Sequence, residues 1–243
     1  MSQTVDRALA LLTELAEGER SLEQLATLLG VHKTTAMRLL QSLEQARLVH
    51  RDAEYRYHLG AGLFALAGRA LEQRPVRRTA APQLAALNAA TGQTVHLAAM
   101  EGDEVVYIDK YESRQPVRMY SRIGLPVPMH CTASAKVLLA ALPPERRAAV
   151  VAGLEFTRFT DRTLTTPAEL LAELARVAER GWARDRAEHE PFMNCVAAPI
   201  RDAGGQVVAA ASLSVPDLVL PYEGVLELLP QLLAATAAAS GLT

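Results

Sequence analysis

The tightest constraint on the fold lies in the first 46 residues. There, apolar side chains recur at helical spacing in three short segments divided by two stop signals. Val5, Ala8, Leu9, Leu11, Leu12 and Leu15 mark the first helix, which halts at Glu17-Gly18. The second begins at Ser21, whose hydroxyl can cap while Gln24, three residues on, completes a capping box. It runs through Leu22, Leu25, Ala26 and Leu29 to Gly30, a residue that takes a left-handed C-cap cheaply. After Val31-His32, a third helix covers 33–46, with Ala36, Leu39, Leu40 and Leu43 on one face. Two short helices joined by a tight, glycine-containing turn form a helix-turn-helix. Leu48-Val49-His50 and Tyr55 to Leu59 flank Arg51-Asp52-Ala53-Glu54 and read as a small hairpin, the wing.

A helix that reads DNA buries one side and offers short polar and basic groups to the major groove with the other. Removing the apolar face of the third helix leaves Lys33, Thr34, Thr35, Met37, Arg38 and Gln41. Lys33 and Arg38 suit phosphates, while Thr34, Thr35 and Gln41 suit base edges or a thymine methyl. Ser21 stands at the positive end of the second helix, where free amides hold a phosphate. Arg56 on the wing is a candidate for a minor-groove or backbone contact. The alternative is a three-helix unit used only for protein contacts. Overall charge does not separate the two, because 25 Lys and Arg stand against 27 Asp and Glu. Residues 33–56 lean basic, with Lys33, Arg38, Arg47, Arg51 and Arg56 against Glu44, Asp52 and Glu54.

At 243 residues the chain holds one large or two modest domains. The polar start (Ser2, Gln3, Thr4, Asp6, Arg7) lacks a secretory apolar core, and no apolar run reaches the ~18 residues of a membrane span. Only Cys131 and Cys195 are present, too few for a disulfide framework, so a cytoplasmic protein with no membrane partner is expected. The organisation read from the sequence is a winged helix-turn-helix at 1–59, a linker helix at 60–75 and a second domain at 76–243. That second domain alternates helices with strands at 93–99, 104–111, 116–120, 182–187, 195–200 and 206–214. One closing helix is expected at 222–239. The class is α+β, a mostly antiparallel sheet flanked by helices.

Several polar residues of the second domain sit in apolar surroundings. Ser212 and Ser214 are two apart on a strand and share a face. Cys195 opens one strand and Asp185 lies in another. Met129 to Ser134 leads into a helix, so free amides gather near Ala133 and Ser134. Hydroxyls, a thiol and a helix N-terminus suit a carboxylate or keto-acid. Each has an alternative: Cys195 as a small core residue, the serines bonding across the sheet, Asp185 pairing with Arg184 or Arg186. His130, Cys131, His189 and Cys195 raise a zinc site or a Cys/His nucleophile as a rival. Their spacing matches no compact ligand motif, and no cofactor is expected.

These residues carry a resemblance. Val5-Asp6-Arg7-Ala8-Leu9, Gly30-Val31-His32-Lys33-Thr34-Thr35-Ala36-Met37-Arg38-Leu39-Leu40 and Tyr57-His58-Leu59-Gly60 match the IclR family of bacterial transcriptional regulators. The match continues with His130-Cys131-Thr132-Ala133-Ser134-Ala135-Lys136, Cys195-Val196-Ala197-Ala198-Pro199-Ile200 and Ser212-Leu213-Ser214. The resemblance implies a GAF-like effector domain, a dimerising linker helix, and homodimers or dimers of dimers on palindromic double-stranded operators. It also implies small carboxylate effectors and, more often than not, repression. Carried over by motif, effector contacts fall on Ala133, Ser134, Asp185, Cys195, Ser212 and Ser214, with Met119 and Ile123 as an apolar wall. Two departures stand out: Ala135 where the family usually has Gly, and Phe192-Met193-Asn194 where Gly-Val-Arg is usual.

Overall fold

The first three helices form where the periodicity places them. In the computed structural model, which describes residues 2–115 and 121–241, α1 spans Gln3–Ala16, α2 Leu22–Leu29 and α3 Lys33–Gln45. Ser21 Oγ accepts the Gln24 N–H and the Gln24 side chain returns to the Ser21 N–H, so the capping box is complete. Gly30 closes α2 at φ +62°, a conformation that costs a residue with a Cβ. His32 is the N-cap of α3, its ring accepting from the Thr34 amide. Leu11, Leu15, Leu25, Leu40 and Leu43 pack with Val49 and Tyr57 into one core. The last two belong to β1 (Val49–Arg51) and β2 (Tyr57–Leu59), an antiparallel pair widened by a bridge from Arg20 to Tyr57. A fourth helix, α4 (Gly62–Glu72), buries none of its residues.

The chain divides into two compact units, 1–73 and 74–243. The second opens with α5 (Pro75–Thr91), β3 (Thr94–Glu101) and β4 (Glu104–Tyr111). It continues with α6 (Ala133–Ala141), α7 (Pro144–Ala152), α8 (Pro167–Arg180), β5 (Ala183–Arg186), β6 (Met193–Arg201) and β7 (Val207–Pro216). The expected closing helix is two, α9 (Tyr222–Glu227) and α10 (Leu229–Ala239). The interruption falls at Leu228, two residues before Pro230, which has no N–H to continue the ladder. The strand expected at 116–120 lies outside the described residues.

The five strands run in the order β4-β3-β7-β6-β5, every pairing antiparallel. One face packs Val95, Leu97, Val196, Leu213 and Val215 against Val76, Leu84 and Leu87 of α5 and Leu232 of α10. The other packs Ala98, Cys195, Ala197 and Ala210 against Val137 and Leu138 of α6 and Leu170 and Leu174 of α8. Both faces are covered, so β6 and β7 are buried almost throughout rather than alternating. Thr166 and Glu169 form the capping box that starts α8, and Gly181 ends it at φ +81°.

Candidate functional site

In the N-terminal unit, the outer side of α3 is the face that the sequence expects to meet DNA. Ala36 and Leu40 are fully buried and Leu43 nearly so, which turns Lys33, Thr34, Thr35, Met37, Arg38 and Gln41 to solvent. Lys33 Nζ makes a 2.7 Å pair with Glu23, both side chains more than half exposed, a contact that water and salt weaken. Thr35, Arg38 and Ser42 face Thr4 and Arg7 of α1 across a groove, so Arg7, which was not among the expected contacts, borders the α3 face.

The wing is fastened rather than loose. His58 donates or accepts at 2.6 Å with Asp52 and stacks on His50, ring centroids 4.9 Å apart. The Asp52 carboxyl is held below its usual range by that bond and by the Arg56 amide. Arg56 turns back: its Nε lies 3.2 Å from a Glu19 carboxylate oxygen, and Nη2 donates to the Glu19 carbonyl. Arg51, Ala53, Glu54 and Tyr55 are the exposed residues of the wing tip. Ser21, partly exposed, spends its hydroxyl on the α2 cap.

In the second unit, the antiparallel register assembles a pocket. Asp185, Cys195 and Ser214 are successive partners across β5, β6 and β7, and Ser212 follows two residues from Ser214 on the same face. Above them the entry of α6 brings Ala133 and Ser134. All six line one pocket, partly open to solvent, together with Tyr107, Thr132, His189, Glu190 and Met193. Thr132 caps nothing: its hydroxyl donates to the Pro128 carbonyl at 2.8 Å, so the first amides of α6 carry no side-chain cap. Such an end attracts anionic groups. Ile123 is 42% exposed and does not line this cavity. Met119 lies outside the described residues.

The pocket walls are electrically unusual. Asp185 is pushed up to about 7 by burial, against the pull of Lys136 and with the added repulsion of Glu188. One of its oxygens accepts the Glu188 N–H at 2.7 Å. Lys136 is completely buried and donates to the Glu188 carboxylate and, at 2.9 Å, to the Arg184 carbonyl. Behind Ser214, His96 is driven down to about 3 by burial and by Lys110. Its Nε2 meets Ser121 Oγ at 2.7 Å, its Nδ1 meets Ser214 Oγ at 3.4 Å, and its ring stacks on Tyr107 at 4.5 Å.

The rival cysteine chemistry has no support in these environments. Burial raises the Cys195 thiol well above its ordinary range, with Asp185 adding to the effect, and Cys131 is raised by burial too. A neutral thiol is a poor nucleophile and metal ligand. His130 bonds the Thr157 carbonyl and packs between Phe156 and Phe159. Among the described residues, the group with three ligand-capable side chains within reach of one another is Glu19, Asp52 and His58. The rival set of His130, Cys131, His189 and Cys195 is not brought together in that way.

Comparison with known proteins agrees with this arrangement. Residues 4–53 match the IclR helix-turn-helix domain, and residues 68–241 match the C-terminal domain of the bacterial transcriptional regulator IclR. The chain is 37% identical over 203 residues to the HTH-type transcriptional regulator KdgR of Escherichia coli, covering 83% of this chain and 77% of that protein. It is 34% identical over 218 residues to the HTH-type transcriptional repressor AllR of Salmonella typhi, covering 88% and 80%. The crystal structure of the Thermotoga maritima IclR superposes with a TM-score of 0.85 at 31% identity, covering 97% of this chain and 96% of that one. A helix-turn-helix in one unit and a polar pocket in the other accord with these matches, and the chain belongs to the IclR family of bacterial transcriptional regulators.

Proposed function

We propose that this protein is a repressor whose hold on its operator changes when a small carboxylate enters the pocket of the C-terminal unit. The observation that carries the reading is the convergence of Ala133, Ser134, Asp185, Cys195, Ser212 and Ser214 on one cavity beneath an uncapped helix entry. The amides and hydroxyls there are donors for a carboxylate. Repression is supported by the AllR relatives, which are transcriptional repressors.

The active species is a homodimer or a dimer of dimers on double-stranded DNA in the cytoplasm. Phe64 and Leu66 of α4 are 78% and 58% exposed in the single chain, and an apolar helix of this kind is stable when a second copy covers it. Two copies place two recognition helices in successive major grooves, about one helical turn or a multiple apart. The ligand regulates by binding one arrangement of the two copies better than the other, since equal affinity shifts nothing.

The test is a thermal-shift panel of small carboxylates on the full chain, repeated on Ser212→Ala/Ser214→Ala, with operator gel shifts alongside. A carboxylate that raises the melting temperature of the parent protein, releases it from DNA and does neither in the double variant is the expected result. Ligand response that survives both substitutions moves the site elsewhere.

A further inference from the structure

Separate from the carboxylate pocket, the outer side of β5 carries a second concave surface. Its walls come from three parts of the chain: Arg162 before α8, Glu173 and Arg176 of α8, and Arg184, Arg186 and Glu188 around β5. The cleft opens to solvent.

The charges in it do not balance. Glu188 is engaged by the buried Lys136. Glu173 is held by Arg176 at 2.9 Å and by Arg180 at 2.7 Å. Both carboxylates are therefore already matched, one of them twice. Among the described residues, Arg162 and Arg184 have no carboxylate within ion-pair distance. Arg186 reaches only Glu223 at 3.7 Å, a pair with both side chains largely exposed. Its guanidinium lies instead 4.9 Å over the Tyr222 ring, which holds it in one place. Charged side chains often guard an exposed sheet edge, and Arg184 and Arg186 on their own fit that role. Edge protection gives no reason for Arg162 and Arg176 to converge on the same hollow from other elements.

We infer that this arginine cleft is a second ligand site, built for a small molecule bearing phosphoryl groups. A phosphoryl group brings about −1.5 to −2 charges at neutral pH, against one for a carboxylate. Its oxygens also accept the paired N–H groups of several guanidinium forks at once. The site shares no lining residue with the carboxylate pocket, so either can fail without the other.

The experiment is calorimetric titration of the full chain with inorganic pyrophosphate at low ionic strength. Saturable binding is expected, weakened about tenfold or more in Arg184→Gln/Arg186→Gln, because charge-assisted hydrogen bonds are lost. The same variant should unfold at the parent temperature, as the substituted side chains are exposed. Ser212→Ala/Ser214→Ala should bind pyrophosphate as the parent does. Absence of saturable binding, equal affinity in the arginine variant, or loss of binding in the serine variant each overturns the inference. So does weakened binding of duplex DNA by the arginine variant, which assigns these arginines to the nucleic-acid backbone.

Discussion

Asp185 and Cys195 stand directly opposite each other in the β5–β6 ladder, and Ser214 is the next residue of the same row on β7. The pairing puts a buried carboxyl beside a thiol and a hydroxyl at the floor of the proposed ligand pocket, and its energetics can be measured.

Asp185 makes the second unit less stable as pH rises. Its folded pKa, about 7, lies above the 3.8 of the free side chain. Between those values the unfolded chain releases a proton that the native state keeps, so stability falls from about pH 4 to about pH 7 and then levels. The slope from this one group approaches about 1.4 kcal/mol per pH unit. Asp185→Asn keeps an acceptor for the Glu188 amide and removes this group's share of the pH dependence. Urea unfolding followed through the single tryptophan, Trp182, checks it; an unchanged pH profile in the variant counts against a buried neutral carboxyl.

His96 acts in the opposite direction. Its folded pKa of about 3 lies below the usual 6.5, so its stabilisation is complete above about 6.5 and is lost as the pH drops toward 3. From about pH 4 to 6.5 the two groups offset each other. His96→Gln should therefore leave stability falling with pH in that window, and Asp185→Asn should leave it rising. If both variants tilt the same way, the assignment of one group is wrong.

Arg38→Ala should weaken operator binding while leaving the melting of the C-terminal unit untouched. For a phosphate contact, the slope of log affinity against log salt should shrink by about one. Gel shifts over a salt series decide it, and an unaltered slope removes Arg38 from the backbone contacts.

Gly60 has no room for a side chain. A Cβ there would meet the Arg47 carbonyl oxygen at 2.3 Å, and the Gly60 amide already bonds the Leu48 carbonyl. Gly60→Ala should destabilise the N-terminal unit by roughly 1–3 kcal/mol or more, since backbone must move. Thermal unfolding and DNA affinity should both suffer; parent-like values for both would show that the β2–α4 junction yields.

Phe64→Glu/Leu66→Glu should convert the protein to a monomer with a folded C-terminal unit and weak operator affinity. Sedimentation gives the answer, and a parent chain that is already monomeric removes α4 from the dimer interface.

Much of this was legible in the sequence because local chemistry decides it. Ser21 with Gln24 announces a helix start and Gly30 a helix end, and both behave as read. The pocket was half legible. Ser212 and Ser214 share a face by strand parity, but Tyr107, His189, Glu190 and Met193 join them only through the β4-β3-β7-β6-β5 order, which is tertiary. The Lys136–Glu188 pair spans 52 residues and leaves no periodic trace. Arg56 read as a free wing cation because nothing local reveals its partner, Glu19, 37 residues earlier.

The covered sheet has a consequence for how the chain finds its fold. Because β6 and β7 are apolar toward both helical layers, sliding one past the other by a single residue costs little in hydrophobic terms. What penalises the slip is the pair of hydroxyls embedded in β7: Ser212 and Ser214 would be turned into the oily layer beneath α5 and α10. The serines proposed to meet the ligand thus also help to keep the strands in step, a second use for the same two hydroxyls.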